Sequence, residues 1–143
     1  MTKRILAVDP GDKRIGIAVS DPTSIIASPL TILNHVSRVK DAASVAALAQ
    51  EQAACLIVVG QPLDDEGLST PQSRRAARLA DAIRLQTTLP VVLWDESGST
   101  QAARQARGEM GVSRRQRRVH LDDLAAAVIL QSYLDSQLPP SSS

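Results

Sequence analysis

The chain has 143 residues, enough for one well-buried core and too few for two ordinary domains. It is 43% hydrophobic yet 1% aromatic, with no Phe, one Trp (Trp94) and one Tyr (Tyr133), which excludes a base-stacking platform of several aromatics. Sixteen Lys and Arg against fifteen Asp and Glu give a formal charge of +1, so an anionic partner has to be attracted by local clustering rather than by the overall field.

In chain order, Arg4 to Asp9, Arg14 to Asp21 and Ile25 to Leu33 are β-branched runs separated by the turn clusters PGDK and DPTS, and predict three strands in an antiparallel meander. Val39 to Ala54 is alanine-rich with Val45, Leu48 and Ala49 at helical spacing, and predicts a helix that leads into a strand from Cys55 to Gly60. Cys55, inside the run CLIVVG, is expected to be buried; as the only cysteine it excludes a disulfide framework within the chain and agrees with a reducing compartment. After the loop QPLDDEGLS, Thr70 reads as an N-cap and Pro71 as the first residue of a helix with Ala76, Leu79, Ala80 and Ile83 on one face. Pro90 to Asp95 is a fifth strand. A polar turn, an Arg- and Ala-rich helix from about Thr100 to Met110, the basic loop GVSRRQRRVH and a last helix from about Asp122 to Gln137 follow.

The order of elements predicts an α/β fold: a mixed five-stranded sheet, three antiparallel strands plus two parallel ones, flanked by helices. Residues 1–137 are expected to form the domain and 138–143, ending in PPSSS, a disordered tail. The start, MTKRILAVDPG, is interrupted too soon for a secretory segment, and no apolar run approaches a membrane span. A cytoplasmic protein with no membrane partner is the expectation.

Three groups of acids stand at element ends: Asp9 closing strand one, Asp95 and Glu96 after strand five, and Asp122 and Asp123 opening the last helix. Strands one, four and five should be parallel, so Asp9 and the Asp95-Glu96 pair leave by one carboxyl edge, where open α/β sheets place their sites. If the last helix starts over that edge, the acids form a carboxylate trio suited to a hard divalent cation and to phosphodiester hydrolysis. Each acid also has a plainer reading, as turn former, helix cap or solvated loop residue. Arg114, Arg115, Arg117 and Arg118, with Arg104 one helix earlier, could hold substrate phosphates without reading sequence.

Together LAVDPGDKRIGIAVSD, LIVVGQPLDDEG, WDESGST and LDDLAAAVILQSYLD resemble the YqgF family, also called RuvX, whose members are described as nucleases of pre-16S ribosomal RNA and relatives of RuvC-type Holliday junction resolvases. The likeness runs from Ile5 to about Leu134. It implies an RNase H-like fold, Mg²⁺ or Mn²⁺ as cofactor, and hydrolysis at the 5′ end of pre-16S rRNA within the small-subunit precursor. Carried residue by residue, it implies Asp9, Glu96 and Asp122 as catalytic metal ligands, with Asp95 or Asp123 of second rank. The chain departs from the family in having Ser97 and Gly98 after Asp-Glu, where an arginine is usual, a cation that Arg104 or the later arginines would replace. RuvC resolvases look for an acid after the fourth strand, where this chain has Gln61-Pro62, so branched DNA is the weaker substrate reading. A non-catalytic RNA-binding assembly factor is the alternative from another class.

Overall fold

The computed structural model describes residues 3–63, 66–95 and 114–137, with the backbone alone described for 114–123. The elements are β1 (Arg4–Pro10), β2 (Arg14–Ser20), β3 (Ala27–Asn34), α1 (Arg38–Glu51), β4 (Ala54–Gln61), α2 (Pro71–Arg84), β5 (Val91–Asp95) and α3 (Arg114–Ser136). They build one five-stranded sheet in the order β3-β2-β1-β4-β5. β1 pairs antiparallel with β2, and β2 with β3, while β1, β4 and β5 run parallel, as the connection lengths predict.

β1 is the central strand, and its residues Ile5, Leu6, Ala7 and Val8 are all buried because both faces of the sheet are covered. Leu6 and Val8 belong to one core with Ile57, Val59, Val45 of α1 and Leu79 and Ile83 of α2. Ile5 and Ala7, pointing the other way, pack with Ala18, Val58 and the α3 residues Ala126, Ala127, Leu130 and Leu134. The sheet is thus a middle layer, with α1 and α2 on one face and α3 on the other.

Local signals set the helix starts. The Ser37 hydroxyl accepts from the Lys40 N–H at 3.2 Å and opens α1. Thr70 and Ser73 form a reciprocal capping box at α2, with Pro71 just inside, and Ala76, Leu79, Ala80 and Ile83 are buried as the spacing predicts.

Three expectations are corrected. Cys55 is exposed. Arg4 lies opposite Ala54 and Ile5 opposite Leu56, so Cys55 is the extra residue of a bulge and has no place in either buried row. Ile25 and Ile26 are not yet strand; both are exposed, in the turn that precedes β3. The stretch from Arg114 to Arg118 is helix rather than loop, since nothing between Arg114 and Ser136 is Gly or Pro and Arg, Gln and Leu are good helix formers. Asp122 and Asp123 therefore lie two turns inside α3, which removes the helix-cap reading for both. The expected helix at 100–110 and the tail from 138 lie outside the described residues.

Candidate active site

β1, β4 and β5 leave the sheet side by side: Val8 is level with Val59, and Val59 with Leu93. Asp9 is the residue after Val8 and is half-buried. It continues the row of Ile5 and Ala7, so it stands on the face that α3 covers.

The lateral neighbours of Asp9 carry no side chains. On β2 its register partner is Gly16. On β4, one step past the Val8–Val59 pair, comes Gly60, itself level with Trp94 of β5. Gly16 and Gly60 are both buried. A carboxylate between two glycines has no Cβ beside it on either adjoining strand, and the next side chains in that lateral row are Ile32 of β3 and Trp94 of β5, each about 10 Å away at two strand spacings. Trp94 leans onto α3, donating from Nε1 to the Ser132 hydroxyl at 3.3 Å and meeting the Tyr133 ring edge-to-face with centroids 5.3 Å apart.

Parity separates the other residues at this edge. Asp95 shares the row of Val91 and Leu93, which pack on the α1 and α2 side, so Asp9 and Asp95 leave by the same edge but on opposite faces. Gln61 also faces α2, where its side-chain amide donates to the Ser73 carbonyl at 3.3 Å. β4 therefore sets a glycine, not a carboxylate, next to Asp9.

The end of α3 is placed by Gln131. Its side chain accepts from the Ala27 N–H at 3.0 Å and donates to the Ile25 carbonyl at 2.8 Å. Ala27 lies opposite Ser20, whose hydroxyl accepts from the Ile5 N–H at 2.8 Å, so Gln131 sits at the amino edge of β1. The end of α3 thus lies across the sheet, tied by Gln131 to the start of β3 on one side and by Ser132 and Tyr133 to Trp94 of β5 on the other.

Asp21 shows the contrasting use of an acid. One carboxylate oxygen accepts from the Ile25 and Ile26 N–H groups, both at 2.8 Å, and the other from the N–H and hydroxyl of Thr23. The backbone donor of Ile26, then Thr23 and Ile25, hold its carboxyl well below the ordinary carboxylate range. The sequence reading gave Asp21, Gln131 and the Trp94–Tyr133 pair no role; the Asp-Pro-Thr turn signal was the one clue to the first, and the others depend on tertiary packing.

Glu96 and Arg104 lie outside the described residues, as do the side chains of Arg114, Arg115, Arg117, Arg118, Asp122 and Asp123. Among the described residues no group of three or more His, Cys, Asp or Glu is placed to hold a metal ion. No helix among them is long and apolar enough to cross a membrane.

The family model described as RuvX, Holliday junction resolvase, matches residues 3–136. A protein of Roseiflexus sp. is 37% identical over 134 residues, covering 94% of this chain and 95% of its own length. One of Myxococcus xanthus is 37% identical over 137 residues, covering 96% and 91%. Both bear the words "pre-16S rRNA nuclease" in their names. Among solved structures, Thermus thermophilus RuvC in complex with a Holliday junction substrate superposes with a TM-score of 0.58 at 17% identity, covering 94% of this chain and 95% of that one. The fowlpox virus resolvase in complex with Holliday junction DNA gives 0.53 at 17% identity, covering 95% and 99%. The strand order, the layer of helices on each face and the match along nearly the whole chain agree: this protein belongs to the RuvX family and has an RNase H-like α/β fold.

Proposed function

We propose that this chain is a divalent-metal-dependent nuclease that hydrolyses phosphodiesters at the 5′ end of pre-16S rRNA, in the cytoplasm, on the small-subunit precursor. The observation that carries the reading is the position of Asp9: half-buried at the carboxyl edge, on the α3 face, with glycine on both flanks. Asp122, inside α3, is its proposed partner on the resemblance of LDDLAAAVILQSYLD to the family's last-helix motif.

Glu96 completes the proposed set, because Asp95 belongs to the other face. Three carboxylates are a donor set that fits Mg²⁺ or Mn²⁺, hard ions that prefer oxygen. Such an ion, when bound, activates a water and offsets charge on the leaving oxygen. The chain's own part is to hold Asp9 on the central strand of the sheet. Arg104, Arg114, Arg115, Arg117 and Arg118 would neutralise phosphates around the carboxylates, in place of the usual arginine at Ser97. RNA is favoured over a four-way DNA junction because β4 supplies Gly60 and Gln61 where a RuvC-type site uses an acid.

The test is cleavage of an end-labelled pre-16S rRNA fragment and of a four-way DNA junction, with Mg²⁺, Mn²⁺ or chelator. RNA cleavage that needs the metal is the expected result. RNA binding without cleavage under either metal would overturn the reading in favour of an assembly factor, and preferential cutting of the junction would move the substrate to DNA.

A further inference from the structure

A second concave site lies on the opposite face of the same edge. A cavity of about 350 Å³ opens just past Asp9, between the turn Pro10–Asp12, the start of α1 and the side of α2. Its floor is apolar, Pro10 together with the nearly buried Ile15 and Leu79. His35 and Asp41 form one wall: the buried Asp41, 5% exposed, accepts from His35 Nδ1 at 2.5 Å and from the Val36 N–H at 3.0 Å. That pairing fixes the imidazole and leaves Nε2 for another partner.

The charges at the mouth are Arg38, Arg75 and the carboxylate of Asp12. Arg38 is the first residue of α1 and makes no ion pair among the described residues. Arg75 is bonded to Asp12, but the two side chains are 44% and 72% exposed, and an exposed pair of this kind is weak enough to give way to a phosphate. The amino end of α1 adds a partial positive charge at the same place. The rim between this cavity and Asp9 is a tight turn, since a Cβ at Gly11 would stand 2.4 Å from the Arg14 carbonyl oxygen.

A volume of this size with an apolar floor, a fixed imidazole and two guanidinium groups is suited to one nucleotide. We infer that the cavity holds a nucleotide of the RNA that is cut at Asp9, its base against Pro10 and the exposed His35 ring and its phosphate between Arg38 and Arg75. This rests on the nuclease reading and extends it: the strand passes over the Pro10–Gly11 turn, with the scissile bond on the α3 face and the held nucleotide on the other. Sequence gave no sign of the site, because Asp12, His35, Arg38 and Arg75 come from separate elements.

The experiment measures binding of a labelled single-stranded RNA from the pre-16S 5′ end, in chelator, as a function of salt. Three proteins are compared: native, Arg38→Ala/Arg75→Ala, and Arg74→Ala/Arg78→Ala, whose arginines are exposed on α2 and do not line the cavity. All the replaced side chains are at the surface, and thermal melting checks that each protein is folded. The cavity pair should weaken binding about tenfold or more and flatten the log–log salt slope by about 1 to 2, against less than about threefold for the control pair. Equal weakening by both pairs, or none by the cavity pair, overturns the inference. So does a native protein that cuts RNA with metal yet binds none in chelator, a result that leaves the nuclease reading standing.

Discussion

Two Asp-Pro pairs, Asp9-Pro10 and Asp21-Pro22, end neighbouring antiparallel strands at opposite edges of the sheet, and the fold uses them differently. At the amino edge Asp21 has left the strand, and its carboxylate is saturated by the donors of Thr23, Ile25 and Ile26. It ties a turn in which Ser24 adopts a positive φ of 61°. At the carboxyl edge Asp9 is still in the ladder opposite Gly16, with its side chain in the row beneath α3. The same dipeptide is a turn staple in one place and a candidate ligand in the other. What separates them is whether the acid is still in the ladder, and which layer covers its face.

If this contrast is right, changes at the amino edge and in the α3 packing alter stability, and leave the chemistry of the carboxyl edge in place once the protein is folded. Leu130 is fully buried between α3 and the sheet, so Leu130→Ala should cost about 2–5 kcal/mol in denaturant unfolding. Gln131→Ala removes two hydrogen bonds that pin α3 to Ile25 and to Ala27 at the start of β3 and should cost about 1–2 kcal/mol, with cleavage per folded molecule unchanged. Asp21→Asn acts through pH. Because folding depresses the Asp21 carboxyl, its contribution is present above the unfolded value near 4 and is lost as pH falls below it toward the folded value. The stability gap between native protein and Asp21→Asn should therefore be open at pH 7 and close on acidification below about pH 4, read by thermal melts across that range. Smallest of all, Cys55→Ser at the bulge should stay within about 0.5 kcal/mol; a loss above about 1.5 kcal/mol would mean that the thiol is packed in a core.

The sheet was legible because its signals are local. β-branched runs marked the five strands, Thr70-Pro71 marked the start of α2, and short turns against helical crossovers separated antiparallel from parallel neighbours. The errors lie where a partner decides. The bulge that exposes Cys55 exists in the pairing of β4 with β1 and not in β4 alone. Charge hid the first turns of α3, since four arginines in five residues read as a solvated loop although arginine breaks no helix. Asp9 was legible as the acid at the end of a strand. That it and Asp95 take opposite faces required knowing which rows α3 covers.

The most direct measurement sets Asp9→Asn beside Asp21→Asn in one assay of Mg²⁺- and Mn²⁺-dependent cleavage of labelled pre-16S rRNA, with melting curves for both. The proposed site predicts that Asp9→Asn melts like the native protein and cleaves at background, because the neutral isostere opens no cavity and weakens metal binding. Asp21→Asn should melt earlier and still cleave. An Asp9→Asn protein with native activity would contradict a metal site built on Asp9.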